Sequence, residues 1–377
     1  MFIKNYSLQA NQMKTIIFLL FGFVLTFFEV KSQAPANTTV HPSAAQSSKA
    51  GLFDSDSIFT ISLKGNIRKL LNDRNGEPRP FPVIISYTGD DSSAISIPIT
   101  VKTRGHFRRQ SGTCRFPPLQ LGFSKTSDSS SSFFPKKGSL KLVMPCNGDD
   151  YVIYEWLVYK LYNLVTPESF RARLVKVKLV DEKNKKMPES FYGIIMESES
   201  QMAARNHSIT VKKGMRPQQM MYQAFLKMAV FEYLIGNTDW SVEYRQNIKL
   251  IAADSLSLPV AVPYDFDHAG IVEAPYAKPA EELKLRSVRE RRYRGYCVND
   301  MKQFDSTVAF YNSLKNEIYK TYTGCSLLDE KYINATIKFL DEFYTTINNP
   351  EELKKEFQYP CDPKGTGNVI IKGLRED

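Results

Sequence analysis

Two acidic motifs flank a stretch of the chain whose pattern predicts a β-hairpin. The segment GNTDWSVEYRQNIKLI places Asp239 and Asn247 eight residues apart, just before an apolar run. The segment VPYDFDHAG ends a second apolar run with Asp265 and Asp267. Asn and Asp favour turns, so any one of these residues taken alone is more typical of turn chemistry. A hairpin built from NIKLI and PVAVP, however, would return Asp265 close to Asn247.

These residue types, in this order, are the ones that phosphoryl transfer uses. The reaction needs an aligned acceptor hydroxyl, a cation over the nucleotide phosphates and oxygen ligands for Mg²⁺. Kinase-type sites position the acceptor with a loop Asp and hold the metal with a later Asn and a strand-end Asp. The order predicts Asp239 as the catalytic residue and Asn247 with Asp265 as metal ligands. Asp267 competes with Asp265 for the metal, because strand residues two positions apart face the same side.

Residues upstream of the hairpin supply candidates for binding the nucleotide. Lys141 lies mid-strand in SLKLVMP, where a buried charge is disfavoured, and Glu155 lies on the helix that follows. An ion pair between them would direct the ammonium toward phosphates. Arg104 belongs to TRGHFRR, a basic turn that would cover the phosphates, and Glu197 ends a strand that would meet an adenine. Each of these residues also fits a surface role, such as a snorkelling Lys or a solvated turn.

The elements that must position these residues divide the chain into a β-rich and a helical half. Short β-branched or aromatic runs between polar clusters predict strands from residue 58 onward: IFTISL, FPVIISYT, ISIPITVKT, FPPLQLGF, SLKLVMP, RLVKVKLV and FYGIIMES. Apolar residues at three- and four-residue steps predict helices: DDYVIYEWLVYKLYNLV, PQQMMYQAFLKMAVFEYLIG, DSTVAFYNSLKNEIYKTYTG and EKYINATIKFLDEFYTTIN. We therefore expect an α+β, protein-kinase-like two-lobed fold, with a β-rich N-lobe over 58–199 and an α-rich C-lobe over 200–350.

Both ends of the chain are expected to lie outside these lobes. Residues 1–32 carry a Lys and an apolar run with the pattern of a secretory signal peptide, and the run is shorter than the ~20 residues of a membrane span. Residues 33–57 read as a linker rich in Ser, Ala, Thr and Pro, and residues 351–377 as a tail. We expect a secreted or periplasmic protein without a stable membrane anchor after signal cleavage.

The charge and the cysteine and histidine content of the chain bear on two questions: whether nucleic acid is an expected partner, and whether a zinc site is expected. The 377 residues carry a formal charge of +10, but the basic residues are dispersed apart from RSVRERRYR, which is most typical of a solvated helix face. Nucleic acid is therefore not an expected partner. In an oxidising compartment the five cysteines allow one or two disulfides with a thiol left over. No CxxC spacing is present and the four histidines are scattered, which argues against zinc.

The motifs resemble those of the CotH-type atypical kinases, first known as spore-coat proteins, and of related secreted Bacteroidetes proteins of undefined function. The resemblance runs from TVKTRGHF through YEWLVYKLYN, FYGIIMESES and GNTDWSVEYRQN to PYDFDHAG, in order and character rather than in close identity. It implies transfer of phosphate from ATP, with Mg²⁺, to a protein or glycan hydroxyl. It also implies that Asp239 is catalytic, that Asn247 and Asp265 bind the metal, and that Glu197 is the strand-end Glu.

One element of that family's pattern is displaced in this chain. The nucleotide-binding Lys is expected on a strand shortly after the RG turn, where this chain has RFPPLQLGF without a Lys. Either Lys141 takes that role, or the site is incomplete and the protein is a non-catalytic, pseudokinase-like binding protein of the envelope or surface. A hydrolase that uses the carboxylates is a third alternative and would require a paired-acid geometry.

Overall fold

The β-rich half of the chain forms strands because its apolar side chains alternate with polar ones. In the second strand, Phe81–Thr88, every other residue is buried, which is the period of a strand with one face on a core. Seven strands close into a barrel: β1 (Phe59–Gly65), β2 (Phe81–Thr88), β3 (Ala94–Thr103), β4 (Leu119–Phe123), β5 (Gly138–Val143), β6 (Ala172–Asp181) and β7 (Phe191–Met196).

The computed structural model describes residues 51–89, 92–124, 132–183, 186–187 and 190–361. The expected signal peptide lies outside the described residues, as do most of the expected linker and the last part of the expected tail. In the part of the chain that is described, no helix is both long and apolar enough to cross a membrane.

Closure of the barrel is the feature that the sequence pattern did not indicate. The strand order is β1-β2-β3-β4-β5-β7-β6, and the parallel pairing of β6 with β1, from Val175 opposite Phe59 to Asp181 opposite Gly65, closes the ring. The other neighbouring strands pair antiparallel. The mixed α and β character and the β-rich first half are confirmed. A closed seven-stranded barrel fits a kinase N-lobe only loosely.

Most of the helices come after the barrel strands, as expected, but the first two lie between those strands. The helices are α1 (Ile67–Leu71), α2 (Asp149–Val165), α3 (Glu199–Arg205), α4 (Tyr222–Ile235), α5 (Asp305–Thr323), α6 (Glu330–Asn348) and α7 (Pro350–Phe357), with a small sheet of β8 (Ile209–Val211), β9 (Ile248–Ala252) and β10 (Val260–Pro263). The helix α4 begins later than its apolar pattern predicted, because Pro217–Gln219 form a separate 3-10 turn.

Two separate apolar cores hold these elements together. One fills the barrel with side chains from all seven strands. The other packs α2 with the helices α4 to α7 and with β9 and β10. Although α2 follows β5 in sequence, its buried side chains therefore belong to the helical core. Nearly every residue of α2 from Val152 to Tyr162 is buried, including Glu155. A helix with only one apolar face would expose Glu155.

Four of the five cysteines form disulfides. Cys114 is bonded to Cys146 and Cys297 to Cys361, and Cys325 is a free thiol. The Cys114–Cys146 bond joins the loop between β3 and β4 to the segment that connects β5 with α2. It therefore links the loop that carries Arg104 and Arg108 to the segment that follows the strand of Lys141.

We expect the double substitution Cys114→Ser with Cys146→Ser to lower the free energy of unfolding by about 3 to 4 kcal/mol, because the bond closes a loop of 32 residues. Urea unfolding of the oxidised protein measures the change. Cys325→Ser is the matched control, since it removes a thiol without opening a loop. An unchanged unfolding midpoint in the double variant would show that the bond does not stabilise the fold.

Candidate functional site

A cleft of about 490 Å³ gathers side chains from four distant stretches of the chain. Its walls come from the turn after β3, from β5, from the loop after α4 and from the foot of the β9–β10 hairpin. Six of the eight residues singled out in the sequence line it: Arg104, Lys141, Asp239, Asn247, Asp265 and Asp267. Glu155 lies behind the wall, and Glu197 lies outside the lining.

The foot of the hairpin brings Asn247 and Asp265 together. The strands β9 and β10 pair antiparallel, and their last pair sets Ile248 opposite Pro263. The next backbone bond runs from the Tyr264 N–H to the Asn247 carbonyl, at 3.0 Å. The predicted hairpin is therefore present.

Both polar residues at this foot have left-handed backbone conformations. The φ angle is 52° at Asn247 and 64° at Asp265. Asn and Asp tolerate this region better than other residues with a side chain, and such strain is often concentrated at functional sites. The pair at residues 247 and 265 therefore has a conformation that an ordinary hairpin end does not need.

The loop after α4 holds Asp239 against the same foot. Gly236 ends α4 at a φ of 68°, a conformation in which side chains are strained. The Asp239 N–H donates to Asn237 Oδ1 at 3.0 Å. Asn247 Nδ2 donates to the Asp239 carbonyl at 2.7 Å and to Asp239 Oδ2 at 3.1 Å. Asp239 and Asn247 are thus one hydrogen-bonded unit.

Lys141 pairs with Asp265 and not with Glu155, which corrects the expected ion pair. Lys141 Nζ lies 2.8 Å from Asp265 Oδ1, and the Asp265 N–H donates to the Tyr159 hydroxyl at 2.9 Å. Burial of Asp265 opposes its ionisation, but Lys141, Arg108 and Arg104 together outweigh that effect and hold the pKa of Asp265 well below its ordinary value. Asp265 is therefore a fixed negative charge at the cleft wall.

Arg108, and not Lys141, is the cation that lies beside Glu155. The sequence pattern did not single it out. Arg108 Nη1 lies 3.4 Å from Asp267 Oδ2 and 3.9 Å from Glu155 Oε2, while Nη2 donates to the Met144 carbonyl. The signal was present in TRGHFRR, where Arg104 was chosen, but the short 3-10 helix Phe107–Arg109 turns Arg108 inward. Of the three Lys and Arg side chains that line the cleft, Lys141 and Arg108 therefore each meet a carboxylate, and Arg104 is the third.

Glu155 is almost fully buried, with 1% of its surface exposed. Burial, with the nearby carboxylates of Asp267 and Asp265, raises the pKa of Glu155 to about 8, against the opposing effect of Arg108. Asp267 itself accepts a hydrogen bond from the Tyr276 hydroxyl at 2.9 Å. The predicted helix Glu thus supports the cleft from behind, through Arg108.

Asp239 has a raised pKa, which suits a group that accepts a proton. Burial is the main cause, and the charges of Asp267 and Asp265 add to it. His268 and Arg294 act in the opposite direction. An Asp with a pKa above its ordinary value is a better base than an exposed one.

The basic run RSVRERRYR supports this loop, so its interpretation as a solvated helix face was wrong. The run is not helical in the structure. Arg294 Nη1 donates to the Thr238 carbonyl at 2.6 Å, and Arg291 Nε donates to the Leu234 carbonyl at 3.3 Å. Arg291 therefore caps the end of α4, as basic side chains often do, and Arg294 holds the residue before Asp239.

Glu197 has a structural environment. Its carboxylate receives Arg205 Nη2 at 2.9 Å and Arg205 Nε at 3.0 Å, and it accepts the Arg171 N–H at 3.1 Å. These bonds tie the end of β7 to α3 and to the start of β6. Its predicted place beside a nucleotide stays a prediction.

The donor set of the cleft suits a hard divalent cation that is shared with phosphates. Among the residues described, no group of three or more His, Cys, Asp or Glu side chains is arranged to hold a metal by itself. Mg²⁺ is commonly bound by one or two carboxylates together with substrate phosphates. Asp265 and Asp267 would provide the carboxylates, and because Asn247 Nδ2 donates to Asp239, Asn247 Oδ1 would be the amide ligand.

Comparison with known proteins leaves the function to be argued from the site itself. No protein family model matches the chain, and no curated protein matches it. Among solved structures, the chain is similar to the Helicobacter pylori proinflammatory kinase CtkA, at 11% identity and a TM-score of 0.37. The similarity covers 63% of this chain and 90% of that one.

A second buried carboxyl lies beneath the loop that carries Asp239. Glu232, on α4, is 1% exposed, and burial raises its pKa well above the ordinary value. Glu232 therefore keeps its proton to a higher pH in the folded protein than in the unfolded chain. Because the folded pKa is the higher one, stability is lost as the pH rises above the ordinary Glu pKa of about 4.3.

We expect Glu232→Gln to remove this pH dependence. Relative to the unsubstituted protein, the variant should gain unfolding free energy as the pH rises from the ordinary Glu pKa toward the raised pKa of Glu232, by at most about 1.4 kcal/mol per pH unit, and should gain nothing below pH 4. Urea unfolding between pH 4 and pH 8 measures the difference. Glu317→Gln, at an exposed residue of α5, should show none. A difference that stays constant with pH would mean that Glu232 is ionised in the fold.

Proposed function

We propose that the protein is an exported kinase of the CotH type, which transfers a phosphoryl group from a Mg-nucleotide to a hydroxyl of a protein or glycan. The observation that carries the proposal is the hydrogen-bonded unit of Asp239 and Asn247 in one cleft with Asp265. Nothing in ordinary turn chemistry requires these three polar groups to converge. The α+β, protein-kinase-like two-lobed fold is part of the same proposal.

In this proposal Asp239 acts on the acceptor. Its carboxylate accepts a hydrogen bond from the acceptor hydroxyl and takes the proton as the oxygen bonds to the γ-phosphorus. The bond from that phosphorus to the β,γ-bridging oxygen breaks, and the nucleoside diphosphate leaves. Most of the catalysis comes from positioning and from electrostatic stabilisation.

The other cleft residues bind and orient the nucleotide. Asn247, Asp265 and Asp267 would hold Mg²⁺, which when bound neutralises charge on the phosphates. Lys141 and Arg104 line the same cleft and would contact phosphate oxygens. Lys141 is then the nucleotide-binding Lys, in place of one on the strand that follows the RG turn.

Two observations support export. Residues 1–32 have the pattern of a signal peptide. Two disulfides, Cys114–Cys146 and Cys297–Cys361, are typical of an oxidising compartment. A protein or glycan of the cell envelope is then the accessible class of acceptor.

The test is incorporation of ³²P from γ-labelled ATP with Mg²⁺ by protein that lacks residues 1–32. We expect self-labelling, or labelling of an envelope extract, that falls about 10²-fold or more in Asp239→Asn, because the base is lost. Asp254→Asn, at an exposed residue in the turn of the same hairpin, is the matched control. Equal labelling by the two variants would exclude Asp239 as the catalytic residue.

The alternative, a pseudokinase-like binding protein, is favoured by a specific observation. Lys141 and Arg108 already pair with the carboxylates that would bind the metal. A protein that gives a nucleotide-dependent thermal shift but labels no acceptor would be this alternative. Absence of both a shift and labelling would contradict each form of the proposal.

A further inference from the structure

Each carboxylate that is a candidate metal ligand already has a cation of the same cleft as its partner. Lys141 Nζ lies 2.8 Å from Asp265 Oδ1, and Arg108 Nη1 lies 3.4 Å from Asp267 Oδ2. Two cations and two carboxylates thus neutralise one another at the wall of a cleft. A divalent cation would need these two carboxylates, and a polyphosphate would need these two basic groups. Here the carboxylates and the basic groups pair with each other instead.

Burial makes these pairs costly to break one partner at a time. The side chains of Arg108 and Asp267 are each 10% exposed, Lys141 is 14% exposed and Asp265 is 34% exposed, so the Arg108–Asp267 pair is the more buried of the two. An unpaired charge at such a position is strongly destabilising. A divalent cation that binds alone takes the carboxylates and leaves Lys141 and Arg108 without their nearest negative charges. A polyphosphate that binds alone takes the basic groups and leaves the carboxylates facing more negative charge.

Only simultaneous binding re-pairs every charge. The carboxylates of Asp265 and Asp267 turn to the divalent cation, while Lys141 and Arg108 turn to phosphate oxygens. Arg108 suits this exchange, because a planar guanidinium donates two parallel hydrogen bonds to a phosphate.

Arg108 also has contacts that keep it at the cleft wall after the exchange. The Met144 carbonyl accepts from its Nη2, and Glu155 lies 3.9 Å from its Nη1. Neither contact involves Asp267. The guanidinium therefore keeps partners when that carboxylate turns away.

We propose that the cleft takes up a divalent cation and a polyphosphate as a coupled pair, and that Arg108 is a phosphate-binding residue which closes on Asp267 when both are absent. The inference rests on the proposed function only in using the same cleft. It gives Arg108 a role in binding the ligand in addition to its structural contacts with Met144 and Glu155.

The test measures binding by thermal shift and by calorimetry, with Mg²⁺ alone, with inorganic tripolyphosphate alone in EDTA, and with the two together. We expect each ligand to bind about tenfold or more tightly in the presence of the other, after allowance for the complex that they form in solution. Independent binding, with no such gain, would overturn the coupling.

Two substitutions give results of opposite sign. Arg108→Gln frees Asp267, so Mg²⁺ alone should bind at least tenfold more tightly while tripolyphosphate binds more weakly. Asp267→Asn frees Arg108, so tripolyphosphate alone should bind more tightly, although a candidate metal ligand has been removed. Arg115→Gln, in the same loop but with its guanidinium over the Phe116 ring, should change neither affinity.

The outcomes separate this inference from the kinase proposal. If both Arg108→Gln and Asp267→Asn fold, as judged by their thermal unfolding, and neither changes the affinity for either ligand alone, Arg108 is structural and the inference is wrong. If Arg108→Gln does not fold, Asp267→Asn decides alone. Coupled binding without transfer to any hydroxyl supports the inference and contradicts the kinase. Transfer with uncoupled binding does the reverse.

Discussion

The antiparallel pairing of β9 with β10 is the constraint on which the candidate site depends. Because Ile248 lies opposite Pro263 and the Tyr264 N–H donates to the Asn247 carbonyl, residues 247 and 265 flank the last rung of the ladder. A slip of the register by one residue would turn the alternate side chains to the opposite face. The side chains of Ile248 and Leu250, on one face of the hairpin, fix the register, since both lie in the helical core while Lys249 between them is only partly buried.

The helix α2 connects this hairpin to the barrel. Its Tyr159 hydroxyl accepts the Asp265 N–H, and its Glu155 lies beside Arg108, which comes from the turn after β3. One face of the helix therefore touches both walls of the cleft. Placing a carboxylate and a hydroxyl on so deeply buried a helix opposes stability unless they have partners, and here the partners are groups of the cleft. The fold and the site consequently share the same contacts.

Local sequence patterns predicted most of the strands and helices. They did not predict the features that depend on contacts between residues distant in sequence. The strand β2 and the helix α2 begin and end where their apolar periodicity indicated. Barrel closure could not be foreseen, because β6 pairs with β1 across more than a hundred residues and no local signal encodes that parallel contact. The short helix α7 was missed although Asn349 caps it and Pro350 begins it, which is a recognisable start signal.

The same division between local and non-local information explains the candidate site. The order Asp239, Asn247, Asp265 is a local sequence feature joined by one hairpin, so the sequence could bring these residues together. Arg108 lies beside Asp267, and Lys141 pairs with Asp265. No sequence pattern indicates which of two cations will pair with which of two carboxylates. A neutralised cleft is nevertheless what burial requires, because each charge there has lost water and must find an opposite charge.

Several arginines of this basic chain have structural roles. They donate to backbone carbonyls at places where the chain turns or an element ends. Arg109 reaches the carbonyls of Asp73 and Gly76, Arg173 those of Leu52 and Ser57, and Arg291 that of Leu234. A guanidinium suits this use, since its five donors satisfy several carbonyls at once. Arg108 combines both uses, because it donates to the Met144 carbonyl and also lines the cleft with Arg104 and Lys141.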